Sequence, residues 1–170
     1  CRKTLGESRA LGDEQRLSVL AEIWLQEALR RDRQVQTEQQ TEAMLDAYLE
    51  SARHAYAYLF MTERTVGQRA LDDRQTQVRD YYNFAVQQAL TGLFKLYQGK
   101  PPRATDGQGN FLLQVGGWDV HGTVGDVRLA GDRDLPKELI PAASLSFKGL
   151  RNQYRRDGLG AELVAVTSRR

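Results

Sequence analysis

Cysteine occurs once in this chain, histidine twice and proline four times among 170 residues. A single thiol cannot close an internal disulfide, so a disulfide-stapled scaffold is excluded. Two histidines without cysteine or paired carboxylates at ligand spacing hold no metal, and no metal or other cofactor is expected. No apolar run approaches the roughly 20 residues that span a bilayer, so any membrane attachment must come from something other than a helix. An excess of one charge is lacking too. Lys+Arg number 24 against 22 Asp+Glu, a net charge of +2, and the bases are mixed with acids along the chain. No basic stripe invites DNA or RNA, and no nucleic-acid partner is expected. What remains is 41% hydrophobic and 27% charged, the composition of an ordinary globular protein rather than a disordered or collagen-like one.

The fold class expected is α+β: about three antiparallel helices followed by a small strand- and turn-rich segment. All four Pro and ten of the fifteen Gly lie from position 101 onward, while only Gly67 and Gly92 interrupt the stretch from Asp13 to Leu96. Helix formers therefore own the first half. Leu17, Leu20, Ala21, Trp24, Leu25, Ala28 and Leu29 recur at spacings of three and four and predict a helix from Asp13 to Arg31, capped by Asp13 or Ser18. A second helix is expected from Thr37 or Thr41 to Phe60, with Leu45, Leu49, Ala52, Tyr56 and Phe60 along one face. Val78, Tyr82, Ala85, Val86, Ala89, Leu93 and Leu96 predict a third, from Leu71 to Gln98. Asp72 and Asp73 stand where they would favour its positive N-terminus. The aromatic residues on these helices read first as packing and second as the lining of a ligand groove.

After residue 98 the chain turns to Gly, Pro and Asp, as linkers do. Phe111 to Val115 reads as a strand, Gly116 and Gly117 as a turn or bulge, and Trp118, Val120, Gly122 and Val124 as the alternation of a returning strand, which Val127 and Leu129 resume. Leu135 to Ile140 begins with Pro136 and stops at Pro141, which reads as a turn or a single helical turn. Ser144 to Phe147 reads as a brief strand and Asn152 to Gly160 as a basic loop. Leu163 to Val166 is continuously apolar, as in a strand buried on both faces, and about seventy residues of strand and turn are too few to enclose it unaided. The organisation expected is a tether over 1–12, a helical domain over 13–99 and a strand-rich segment over 100–170.

Catalytic constellations are missing. No serine lies in a G-x-S-x-G elbow. The glycines near Gly107 and Gly109 complete neither a dinucleotide fingerprint nor a phosphate loop, and Asp106, Gln108 and Asn110 miss the calcium-loop pattern. Asp119 and His121 share one face of an alternating strand, where an exposed pair is the ordinary outcome and a general base the rarer one. Arg151, Arg155, Arg156 and Asp157 read first as a solvated loop or an Arg to Asp ion pair, and second as a phosphate or headgroup contact.

The one cysteine is residue 1, and a chain that starts at Cys resembles a mature bacterial lipoprotein, whose first Cys carries lipid on its sulfur and amine. At about 0.8 kcal/mol per buried CH₂, a multiply acylated Cys1 would hold the protein to a membrane without a spanning segment. By lipoprotein sorting patterns, the Arg at position 2 in place of Asp favours the outer membrane, facing the periplasm. The alternative is a fragment that happens to begin there.

Three blocks carry a wider resemblance: Asp73 to Val86, then Ile140, Pro141 and Ala142, then Lys148 to Ala161, which holds Arg151, Asn152, Gln153, Tyr154, Arg155, Arg156 and Asp157. Together they resemble the N-terminal region of large proteobacterial lipoproteins of the α/β-hydrolase class, serine esterases or lipases held at a membrane. The resemblance implies a catalytic Ser, acid and His beyond position 170, helices that act as a cap or docking element, and Tyr82, Asn83 and the Arg151 to Gly160 loop as interface residues. The rival expectation is a non-enzymatic envelope lipoprotein that binds a protein partner or lipid through its helical face.

Overall fold

A computed structural model of the chain describes residues 12–63, 72–96, 110–115, 117–123, 138–141 and 158–166. Three helices come first: α1 (Asp13–Asp32), α2 (Glu38–Phe60) and α3 (Asp73–Leu96). Two antiparallel strand pairs follow, β1 (Asn110–Val115) with β2 (Trp118–Thr123), and β3 (Glu138–Pro141) with β4 (Leu163–Val166). This is the expected α+β layout. The Ser144 to Phe147 strand and the linker around Gly107 lie outside the described residues.

Each helix starts for a different local reason. Gly12 occupies the cap position of α1 in extended backbone and offers no side chain, so neither Asp13 nor Ser18 caps it. Instead Asp13 and Glu14 lie in the first turn and Arg30 and Arg31 in the last, complementing the helix dipole at both ends. Ser18 is spent on the carbonyl of Gln15, at 3.0 Å. α2 opens with a full capping box: the Thr37 hydroxyl accepts from the Gln40 amide at 3.2 Å, and the Gln40 side chain accepts from the Thr37 amide at 3.1 Å. At α3 the Asp72 carboxylate accepts from the Arg74 amide at 2.9 Å.

α1 packs along α2, and α2 along α3. Leu45, Tyr48, Ala52, Ala85, Ala89 and Leu93 form the centre of the larger core cluster; Ala21, Ala55, Tyr58, Leu59 and Val78 form a second. Small residues let the helices approach. The buried Ser51 hydroxyl donates to the Ala21 carbonyl at 2.8 Å, binding α2 to α1. At Gly92 a Cβ would lie 2.6 Å from Leu45 Cδ2, so the absence of a side chain there sets the α2–α3 spacing.

Glu27 organises the end of α1, accepting from both Arg30 and Arg31 at 2.9 Å, while Arg31 reaches the Ala43 carbonyl of α2 at 2.6 Å. The Arg30 hydrogen bonds, outweighing desolvation and helped by Arg31, lower the Glu27 carboxyl from 4.5 to about 2. A depressed carboxyl contributes stability that is complete above its unfolded value and lost as pH falls through its folded value. Glu27→Gln is therefore expected to lower the midpoint of thermal unfolding modestly at pH 7. The gap from the parent should shrink as pH is lowered from about 4.5 towards 2 in a calorimetric series; a gap independent of pH would exclude this role.

The β1–β2 hairpin closes with Val115 opposite Trp118 and Gly117 in its turn, where a turn was expected; residue 116 lies outside the described residues. It is fastened to the helices: Val115 is buried within the larger core cluster, and Val120 packs against it. The β3–β4 pair corrects two expectations. Residues 138–141 are a strand, not a turn, because pairing with 163–166 supplies backbone partners that local sequence does not reveal. Pro141 closes that strand, where a missing N–H costs least. β4 is not buried on both faces either, since Val164 is 38% exposed. β3 lies against α3.

Candidate functional site

The aromatic side chains divide into two groups. Tyr48 and Tyr58 are fully inside the bundle. Burial first, then the adjacent Asp32 carboxylate, whose oxygen is 3.5 Å from the phenol oxygen, pushes the Tyr48 phenol well up. Tyr56 and Phe60, one turn apart on α2, are instead 46% and 45% exposed. Their rings are 4.8 Å apart, and Tyr56 lies 6.2 Å from Tyr82 of α3. Burial, with Tyr56 beside it, pushes the Tyr82 phenol up, so it stays neutral and amphipathic at physiological pH. Exposed Tyr56 and Phe60 and the partly buried Tyr82 make an aromatic stripe across the seam between α2 and α3.

Next along α2 the same side of the helix holds the hairpin. The Trp118 indole donates to the Asp46 carboxylate at 3.0 Å, and the Arg53 guanidinium lies over the Trp118 ring, 6.0 Å from its centroid. An acid and an arginine seven residues apart share one helix face, but nothing in the sequence named the tryptophan they would receive.

On α3, Asn83 follows Tyr82 and uses both ends of its amide on one turn. Its nitrogen donates to the Gly158 carbonyl at 2.8 Å, and its oxygen accepts from the Gly160 amide at 2.8 Å. Gly160 has φ of 131°, a conformation that favours glycine. Of the residues expected at an interface, Tyr82 and Asn83 thus stand side by side, with the end of the expected loop held by Asn83. Arg151, Arg155, Arg156 and Asp157 lie outside the described residues, as does Cys1.

An open cavity of about 410 Å³ lies at the far end of the bundle, where Asp32, Glu38 and Lys95 surround an apolar floor of Val35, Met44 and Leu96. Charges of both signs at its mouth point to no single ligand class. The histidines carry no chemistry that the geometry supports. His54 Nδ1 lies 2.7 Å from the Glu50 carbonyl on its own helix. Asp119 accepts from Gln114 across the hairpin at 3.0 Å, and both Asp119 and His121 are exposed. Among the described residues, no three His, Cys, Asp or Glu side chains gather as a metal site, and no helix is long and apolar enough to cross a membrane. No protein-family model, curated protein or solved structure matches the chain.

Proposed function

We propose that this chain is the membrane-anchored accessory portion of an α/β-hydrolase-like esterase or lipase, with Cys1 as the lipidated residue and the catalytic triad supplied from elsewhere. The observation that carries this reading is the Asn83 contact. It joins two of the three sequence blocks that resemble the hydrolase lipoproteins, Asp73 to Val86 and Lys148 to Ala161, although 75 residues separate Asn83 from Gly158. The third block contributes Ile140 and Pro141 to the strand beside α3. Blocks that share a surface in this way suit a docking element, and the mainly apolar core of the bundle gives it a firm base. Localisation in the cell envelope, at the outer membrane facing the periplasm, follows from the same reading.

The test has two arms. Mass spectrometry of the native N-terminus should find acyl groups on Cys1; an unmodified thiol would end the anchoring part. Hydrolysis of short-chain nitrophenyl esters should be absent from the 170-residue chain and present in the product of the complete gene, which should encode a G-x-S-x-G downstream. A stop codon after Arg170, or turnover by the isolated chain that is abolished by replacing one of its own side chains, would overturn the accessory role. The aromatic stripe supports a second reading, a non-enzymatic envelope lipoprotein whose helical face binds a lipid or a protein partner. Under it, lipid or partner would co-purify and be lost in Tyr56→Glu.

A further inference from the structure

Exposed apolar side chains are not spread evenly over this protein. Of the eight large hydrophobic side chains exposed among the described residues, three lie in one six-residue run at the end of α2: Tyr56, Phe60 and Met61, the last 75% exposed. Single exposed hydrophobics are ordinary, but a contiguous group marks a surface that meets another apolar phase. The helix end holds the run in place. The Met61 amide donates to the Ala57 carbonyl at 2.9 Å, and the Thr62 hydroxyl donates to the Tyr58 carbonyl at 3.1 Å. Tyr82 of α3 extends the group, 6.2 Å from Tyr56. Its chemistry is graded along α2: Tyr56 and Tyr82 carry a hydroxyl on an apolar ring, whereas Phe60 and Met61 are wholly apolar. The rise from Tyr56 to Met61 is about 7 Å, within the roughly 5–10 Å to which interfacial side chains sink at the boundary of headgroups and acyl chains. Glu63, exposed just beyond, limits the depth, because a carboxylate resists hydrocarbon.

The same end of the bundle carries the start of α1. Leu17 and Ala21 pack there with Tyr58 and Leu59 of α2 and Val78 of α3. Eleven peptide bonds separate Gly12 from Cys1. At no more than about 3.6 Å per residue, Cys1 lies within about 40 Å of this end. We propose that the Tyr56 to Met61 run, with Tyr82, rests on the bilayer to which Cys1 is anchored, seating this end of the bundle at the boundary of headgroups and acyl chains. The inference rests on the lipid-anchor reading of Cys1 and adds the face that the body turns to the membrane. The anchor supplies what the patch lacks: a few side chains hold a bilayer weakly, and a tether raises their effective concentration beside it to about the millimolar range. Seated in this way, the bundle points its opposite end, with Asp32, Glu38 and Lys95, away from the membrane.

Cys1 is the only cysteine, so the intact chain can be coupled through its thiol to phosphatidylcholine vesicles that carry a small fraction of maleimide-headgroup lipid. The coupling supplies the tether whether or not the native residue is acylated. Hydroxyl-radical footprinting read by mass spectrometry then compares coupled with free chain, using exposed Leu90 and Leu112 as references elsewhere on the surface. Tyr56, Phe60 and Met61 should be modified about fivefold more slowly on the vesicles relative to those two leucines, as expected of side chains sunk at the boundary. Phe60→Glu should abolish the protection of Tyr56 and Met61, while Phe60→Trp should keep it. Position 60 is nearly half exposed, so both variants should retain the far-UV circular dichroism of the parent. Equal slowing of the run and the reference leucines overturns the proposal, as does protection that survives Phe60→Glu. Protection that appears only at high density of coupled chains overturns it too, because a second copy and not lipid would then cover the run. The two failures are distinguishable: an unacylated native Cys1 ends the anchor reading and takes this inference with it, whereas unprotected side chains on the coupled vesicles end this inference alone.

Discussion

Tyr48→Ala is expected to lower the free energy of unfolding by about 3–5 kcal/mol, the cost of removing a buried aromatic ring and leaving a cavity that its neighbours only partly fill. Tyr48 is wholly inaccessible on α2, within the cluster where α1, α2 and α3 meet, and its ring stands edge-on to Phe84 at 6.3 Å. Domains of this size carry only about 5–15 kcal/mol in total, so the variant should be partly unfolded near 37 °C. Tyr48→Phe is the control. It keeps the ring and gives up only a 3.5 Å contact between the phenol and Asp32, at the long limit of a hydrogen bond, and should cost less than about 1 kcal/mol. Denaturant titrations followed by far-UV circular dichroism separate the two. Similar losses in both variants would mean that the hydroxyl, not the ring, matters at this position.

The second large effect belongs to Trp118. Trp118→Ala should cost about 2–3 kcal/mol, less than for a fully enclosed indole because Trp118 is only half-buried. Burial of the half-enclosed ring is lost together with the hydrogen bond to Asp46 and the contact of Arg53 over the ring. Asp46→Ala alone should cost about 1–2 kcal/mol, since a charge-assisted acceptor is lost while the indole N–H is left without it. The two substitutions should be non-additive by about 1 kcal/mol in a double-mutant cycle, as expected of residues in contact. Full additivity would place the hairpin's attachment elsewhere, on Val115. In the Trp118→Ala variant, faster exchange at residues 112–121 with α1 and α2 unaffected would show that the indole fastens the hairpin to the bundle.

The helical half of this fold was legible in the sequence to within a residue or two at several ends. Periodicity reports which side of a helix is buried, and long amphipathic runs leave little choice. Gly116 and Gly117 likewise disclose the hairpin, since two strands joined through so short a link can only pair with each other. β3 was hidden for the opposite reason. Four residues are too few to show alternation, their partner is more than twenty positions away, and the flanking prolines pointed to a turn. The α1 cap was misread because Asp13 and Ser18 are good cap types, whereas the chain leaves that position to Gly12 and relies on charge. The candidate site was legible only in part. Tyr56 and Tyr82 stood out as aromatic residues, but helical spacing gives no sign that Tyr48 is inaccessible while Tyr56, eight residues later, is nearly half exposed. Asn83 and Gly158 have no local signal for each other, because a side-chain amide that recognises a distant backbone leaves no pattern in composition.

The short link from α1 to α2, closed by the Thr37–Gln40 capping box, has a consequence for biosynthesis. Contacts between these two helices are close in sequence and can form as soon as both have left the ribosome, well before the strands are made. Leu45 and Tyr48, however, wait for α3 to cover them. During that interval the nascent helix pair presents an uncovered apolar flank, the kind of surface that general chaperones recognise. The order of emergence makes α3 the segment that ends this vulnerability.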